Sequence, residues 1–353
     1  PPPTVVVTTP APTQEQTLPP QINHEAIFNS SSPFNHVIPA NAVYTLDDRI
    51  GTFRTGYEEW ARPIYRVPEN ETHPLVKVVN NYSGRTEYWP IPTYALPATA
   101  SDHHMIVMYN NTGTLYEFWD AKWVNDGLIK AGGMISFDMS ANGVSDPIWY
   151  RVNAAGFSNL AGAIILEDFI DPNTGQLDPN RPIMHALAMS LPFDLVQTGN
   201  YIDPAVGGEE LGRAGRNGVP VGALFALPRD LDVDSLDVHP LTKSILRAAR
   251  DYGLYLIDTN GAPKYQSKFA GALTMEPGLS EALYGIDNDD VVLPMQEEIY
   301  KVIKTHGIYR VTNVDFAYVN DGQDRQATEE TMMRTALDTT ATTQIETEST
   351  PVP

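Results

Sequence analysis

The stretch Asp102–Ala121 constrains the fold more than any other, because two β-rich runs flank Asn110-Asn111-Thr112-Gly113. Asn opening and Gly closing such a turn suit a type I turn followed by a left-handed Gly. With Gly113 as a bulge, Asn110 would pair with Thr114, and the ladder would continue Met108–Tyr116, Ile106–Phe118 and His104–Asp120. Period two then sets Asp102, His104, Ile106, Met108, Tyr116, Phe118 and Asp120 on one face and Glu117 on the other. A slip of one residue would set His103 opposite Asp120 instead.

Such a hairpin needs neighbours, and the chain supplies them. Val76–Val79, Glu87–Trp89, Gly132–Met139, Ala161–Glu167, His185–Leu191 and Gly222–Leu227 read as short strands between Pro- and Gly-rich turns. Turn signals this frequent predict a mainly β fold, a β-sandwich or jelly-roll-like domain, over a parallel α/β sheet. Two flanking helices are expected at Pro240–Tyr252 and Pro294–His306. Each has Pro at its first position, an apolar stripe, and Gly253 or Gly307 as its stop. The expected organisation is an extended Pro/Thr-rich N-terminal tail (1–21), a globular domain (22–324) and an acidic Thr-rich C-terminal tail (325–353).

Forty-four acidic against 23 basic side chains give a net charge of −21. Nucleic acid and anionic membranes would repel such a chain, whereas cations, a salty exterior or neutral glycans suit it. The absence of cysteine excludes disulfides, thiolate metal sites and a Cys nucleophile. No run approaches the ~20 apolar residues that span a bilayer, so membrane insertion is not expected. The chain begins with Pro and lacks a signal-peptide pattern, and reads as processed or trimmed. Sequons at Asn29, Asn70, Asn81 and Asn110 fit an extracellular or cell-surface location.

The first candidate site is Asp102, His104, Glu117 and Asp120, joined by His185 and Asp258 from other strands. A carboxylate beside a neutral imidazole can orient a general base or complete a metal site. A cross-strand His–Asp pair at a sheet margin is the plain alternative. The second is Asp171, Asn173, Gly175 and Asp178, whose alternating oxygen ligands resemble part of a calcium loop. Pro182 stands where the bidentate Glu belongs, and the same residues also build ordinary turns. Asp230, Asp232 and Asp234 share the spacing without the Gly, and Asp287–Asp290 reads as a loop before the second helix. Trp60, Tyr65, Tyr88, Trp89, Tyr94, Trp119, Trp123, Trp149 and Tyr150 could include a sugar-stacking platform, though aromatics mainly fill β-sandwich cores. There is no G-x-S-x-G, P-loop, H-E-x-x-H or dinucleotide fingerprint.

Across residues 100–262 the segments Asp102–Val107, Tyr116–Ala121, Gly133–Met139 and His185–Leu187, followed by Leu246, Tyr252-Gly253 and Asp258 to Gly261, resemble a family of secreted, functionally uncharacterised bacterial β-rich proteins. Its pattern runs D-x-H-x-I-V, Y-E-x-F-D-A, H-A-L, then Y-G with D-x-G following. The resemblance implies a secreted β-rich domain associated with polysaccharide and assigns no reaction. Asn153 stands where the family pattern has an acidic residue before Ala-Ala-Gly, which would put activity in doubt if that residue is functional.

Two functions follow as expectations. The favoured one is a structural subunit of an extracellular filament or surface assembly, a homo-oligomer or polymer linked through its tails. Thr4, Val5, Val6, Val7, Thr8 and Thr9 would form its donor strand, since three valines between prolines suit a strand docked on a sheet edge. The alternative is a secreted polysaccharide hydrolase or lyase, or a glycan-binding protein. There the hairpin cluster would act, with Asp120 or Glu117 as acid or base and carboxylates roughly 5–10 Å apart across an open groove.

Overall fold

A computed structural model describes residues 27–56, 62–100, 102–146, 151–261 and 264–314. The candidate donor strand Thr4–Thr9, the tail 325–353, Trp60, Trp149 and Tyr150 lie outside the described residues. The chain is mainly β and sandwich-like. A mixed seven-stranded sheet runs in the order β1 (Val43–Leu46), β17 (Tyr309–Thr312), β14 (Leu224–Ala226), β15 (Leu254–Asn260), β11 (Leu187–Pro192), β16 (Phe269–Thr274) and β2 (Ile50–Gly56). A second sheet is ordered β10 (Gly133–Asp138), β7 (Thr114–Trp119), β6 (Met105–Tyr109) and β3 (Ile64–Arg66). A third is ordered β5 (Thr86–Trp89), β4 (Val76–Asn80), β9 (Leu128–Ala131) and β8 (Lys122–Asn125), and β12 (Val196–Tyr201) pairs β13 (Val219–Val221). The seven-stranded sheet contains parallel pairs, β11 with β15 and β16 with β2, which turn signals alone did not announce.

The hairpin forms one residue out of the expected register. Tyr109 pairs Thr114, Ile106 pairs Glu117 and Met105 pairs Phe118, so Asn110–Gly113 make a four-residue loop with Gly113 at φ +64°. The physical reason is that both faces of β6 are buried. Ile106, Met108 and Leu115 face the larger core with the seven-stranded sheet, while Met105, Val107 and Phe118 face a smaller core with β4 and β9. A strand apolar on both sides carries no alternation to pin its register. The slip moves Glu117 onto the face of His104, the reverse of the sequence expectation.

Ala161–Glu167 is not a strand. It is a buried run of turns entering a 3-10 segment at Leu166–Phe169. Its amides are met by turn carbonyls and by Thr274 O, and a Cβ on Gly162 would lie 2.5 Å from Ala188 N. A short apolar run tells of burial, not of ladder pairing.

Helix α1 (Pro240–Asp251) begins as expected, with His239 Nδ1 accepting from Leu241 N at 3.3 Å, and stops before Gly253 at φ +89°. A short α2 (Leu279–Tyr284) follows, and α3 (Asn288–His306) starts six residues before Pro294. Burial of Val291, Val292 and Met295 outweighs the one backbone bond that an interior Pro forfeits. Part of the acidic knot Asp287–Asp290 therefore lies in the helix and not in a loop. Among the described residues no helix is long and apolar enough to cross a membrane.

Candidate functional site

The open end of the β6–β7 hairpin abuts the middle of the seven-stranded sheet. Around a cavity of about 20 Å³ lie Arg62, Asp102, His104, Ser190, Asp258 and Thr274, room for about one water. Asp102 and His104 come from the hairpin, Asp258 from β15, Ser190 from β11 and Thr274 from β16. Met189 pairs Leu256 and Ser190 pairs Asp258, so Ile257 is an extra residue on β15, a bulge that re-aims Asp258 here. At the hairpin mouth His103 (φ +43°) and Asp120 (φ +49°) adopt left-handed backbone, uncommon for side-chain-bearing residues.

Arg62 is only 5% exposed. Its Nη1 donates to Thr274 Oγ1 at 2.7 Å, and its Nε–H has no partner. Burial lowers its pKa, opposed by the carboxyls of Asp258, Glu117 and Asp102. His104 is buried, with Nδ1 3.1 Å from Phe118 O. A carbonyl only accepts, so Nδ1 carries the proton and Nε2 is left as acceptor. Burial and then Arg62 push the imidazole pKa well below its ordinary value, so it is neutral.

Burial raises the Asp102 carboxyl, while Arg62 and a hydrogen bond from the Trp119 side chain pull it back. Asp258 is raised much further, first by burial and then by the carboxyl of Glu209, with which it shares a hydrogen bond. A second carboxyl in contact disfavours the charged form of Asp258. Thr259 braces the pair, its N–H donating to Asp258 Oδ1 at 2.8 Å and its hydroxyl to Glu209 Oε2 at 2.9 Å.

Glu117 shares the face of His104 but not the cavity. It is fully enclosed, accepting from Ser158 Oγ at 2.5 Å, Asn159 N at 2.8 Å and Leu160 N at 3.3 Å. Burial still lifts its pKa to about 7 against these donors and Arg62. Asn153 supports the same loop, its Nδ2 donating to Phe157 O at 2.7 Å and to Asn159 Oδ1 at 2.9 Å. The amide nitrogen donates to two acceptors at once, which an acid at position 153 could not do.

Two expected members are elsewhere. Asp120 is half-buried at the hairpin mouth, outside the cavity lining. His185 binds Asp168 Oδ1 at 3.0 Å through Nε2 and Ala186 O at 2.8 Å through Nδ1. Burial opposes its charge, but Asp168 and the Ala186 carbonyl outweigh it and raise the pKa. The hairpin cluster therefore splits. Asp102, His104 and Asp258 meet, and Glu117, Asp120 and His185 do not join them at the cavity.

The loop of Asp171, Asn173, Gly175 and Asp178 spends its oxygens on itself. Asp171 accepts from Asn173 N at 2.8 Å and Thr174 Oγ1 at 3.1 Å, and Asp178 accepts from Asn180 N at 2.9 Å. Among the described residues no group of three or more His, Asp or Glu side chains is placed to hold a metal ion. Sequence reasoning missed Arg62 and Glu209, which stand in no motif and gain their meaning only from residues 40 or more positions away. No family model, curated protein or solved structure matches this chain.

Proposed function

We propose that this chain is a secreted polysaccharide hydrolase whose acid–base groups are Asp102 and Asp258. One observation carries the proposal: residues from four separate stretches of chain converge with a buried, incompletely paired arginine on a cavity of one-water size. Two carboxyls whose surroundings push them apart are the usual division of labour in acid–base catalysis. Asp258, pushed toward its protonated form by burial and Glu209, suits the acid, and Asp102, pulled back toward its charged form by Arg62 and Trp119, suits the base. A water in the cavity would give its proton to Asp102 as its oxygen attacks the anomeric carbon, while Asp258 protonates the departing glycosidic oxygen. Excess acidic charge and the resemblance of residues 100–262 to secreted bacterial proteins lean the same way. Reducing-end release from a panel of neutral and acidic polysaccharides tests it. Asp258→Asn should lower turnover by at least about 10²-fold; equal rates in the variant and the wild type would sink the assignment.

The assembly reading keeps one specific support. Strand β1 is an edge of the large sheet, and it exposes Val43 (51%) and Leu46 (56%). An open edge with apolar side chains can accept a donor strand such as Thr4–Thr9 of another copy. Sedimentation of the full chain against a variant lacking residues 1–21 distinguishes the two: loss of assembly in the shortened chain supports strand donation, and unchanged behaviour removes it.

A further inference from the structure

We propose that Tyr82 and Trp119 form a carbohydrate-stacking subsite beside the cavity, which takes a neutral pyranose ring of the glycan. The inference rests on the polysaccharide reading above and adds the substrate class and the residues that grip it. Tyr82 is 74% exposed, the most exposed large aromatic or aliphatic side chain among the described residues, yet it is not loosely held. Its ring lies 6.3 Å from that of Trp119 at an interplanar angle of 17°, a stepped parallel pair. Asn80, itself buried, locks the turn that carries it: Asn80 Oδ1 accepts from Tyr82 N at 3.0 Å, Ser83 N at 2.8 Å and Ser83 Oγ at 3.0 Å. The same side chain donates from Nδ2 to Gly132 O at 2.6 Å. Gly132 is also the floor of the second ring, since a Cβ there would come within 2.7 Å of Trp119 Cζ3. One asparagine thus ties both halves of the platform to a common base.

The platform is wired to the cavity as well. The Trp119 side chain lies close enough to the Asp102 carboxyl to favour its charged form, and Asp102 lines the cavity with Arg62, His104 and Asp258. A rigid, solvent-facing aromatic pair whose inner edge lies by a carboxyl is suited to the apolar face of a sugar ring, with its hydroxyls directed to the cavity. Charge selects among sugars: with a net charge of −21 and a rim of carboxyls, a polyanionic glycan is repelled and a neutral one is not.

The test uses the full chain made in a bacterial host, so that the sequon at Asn81 carries no glycan of its own. Tryptophan fluorescence is titrated with cello-, manno-, xylo- and chitohexaose and with oligogalacturonate. At least one neutral hexasaccharide should bind and shift the emission, oligogalacturonate should not, and Tyr82→Ala should weaken binding about ten-fold while Tyr82→Phe keeps it. Asp258→Asn should keep that binding and lose turnover. Binding that ignores Tyr82→Ala, preference for oligogalacturonate, or no binding by any neutral oligomer would overturn the subsite. Tyr82-dependent binding without turnover in the wild type would instead overturn the hydrolase assignment and leave the subsite standing.

Discussion

Arg62 and Arg66 are four residues apart in the chain, both largely buried and both surrounded by carboxyls, yet they are held in opposite ways. Arg66 is saturated. Its fork meets Glu167 through Nε and Nη2, and Glu276 through Nη1 at 2.6 Å and Nη2 at 2.8 Å. Glu276 also caps Leu166 N at 2.9 Å, so the triad staples the buried 3-10 segment to β3 and the end of β16. Among the described residues Arg62 makes one side-chain hydrogen bond and no ion pair, faces three carboxyls, and borders a cavity. The paired arginine is a structural tie, whereas a buried N–H without a partner at the edge of a cavity calls for an explanation, and a ligand or water in that cavity would supply one.

The largest effect should come from the doubly paired arginine. Arg66→Met leaves Glu167 buried and Glu276 without a counter-charge, and breaking such a pair costs about 3–5 kcal/mol. Urea unfolding at pH 7 measures it. A loss under about 1 kcal/mol would mean that the triad is not the staple described, and the contrast between the two arginines would fail.

Glu117, packed behind His104, sharpens the contrast through pH. Its folded pKa of about 7 lies above its unfolded value near 4.3, so the unfolded chain ionises first as pH rises. The folded state therefore loses stability between about pH 4.3 and 7, by at most about 4 kcal/mol. His104 works in the other direction: its depressed pKa makes the folded state lose stability as pH falls below about 6.5. Subtracting the stability curve of Glu117→Gln from that of the wild type isolates the carboxyl. The difference should slope downward across this window, and a flat difference would remove Glu117 as a titrating group.

The sequence carried most of the scaffold but only part of the site. Pro240, the apolar stripe and Gly253 bound α1 locally, and the Asn110–Gly113 turn located the hairpin. The register of that hairpin was hidden because both faces of β6 are apolar, and with it went the side on which Glu117 lies. Asp102, His104 and Asp258 were legible as residue types, since each stands in a short acidic or imidazole-bearing run. Their common cavity was not, because it depends on β15 lying inside a mixed sheet reached by long-range pairing. His185 shows the converse. It has the right chemistry, but Asp168 and the Ala186 carbonyl consume both ring nitrogens.

The smallest effect on stability, and the sharpest on function, belongs to Arg62. Arg62→Met removes a charge with an unpartnered Nε–H and a desolvation cost that one hydroxyl only partly offsets. An apolar side chain of similar length relieves that desolvation cost, and no direct ion pair among the described residues is broken by the change. Glu117, Asp102 and Asp258 each lose an attractive neighbour, which limits any gain. Unfolding at pH 7 should therefore change by about 1 kcal/mol or less, well below the loss from Arg66→Met. Turnover should fall with it, because Asp102 without Arg62 is pushed further toward its neutral form and loses its strength as a base. Its pH–rate profile should move to higher pH. If Arg62→Met unfolds the protein as readily as Arg66→Met does, both arginines are structural, and the open bond at Nε marks no site.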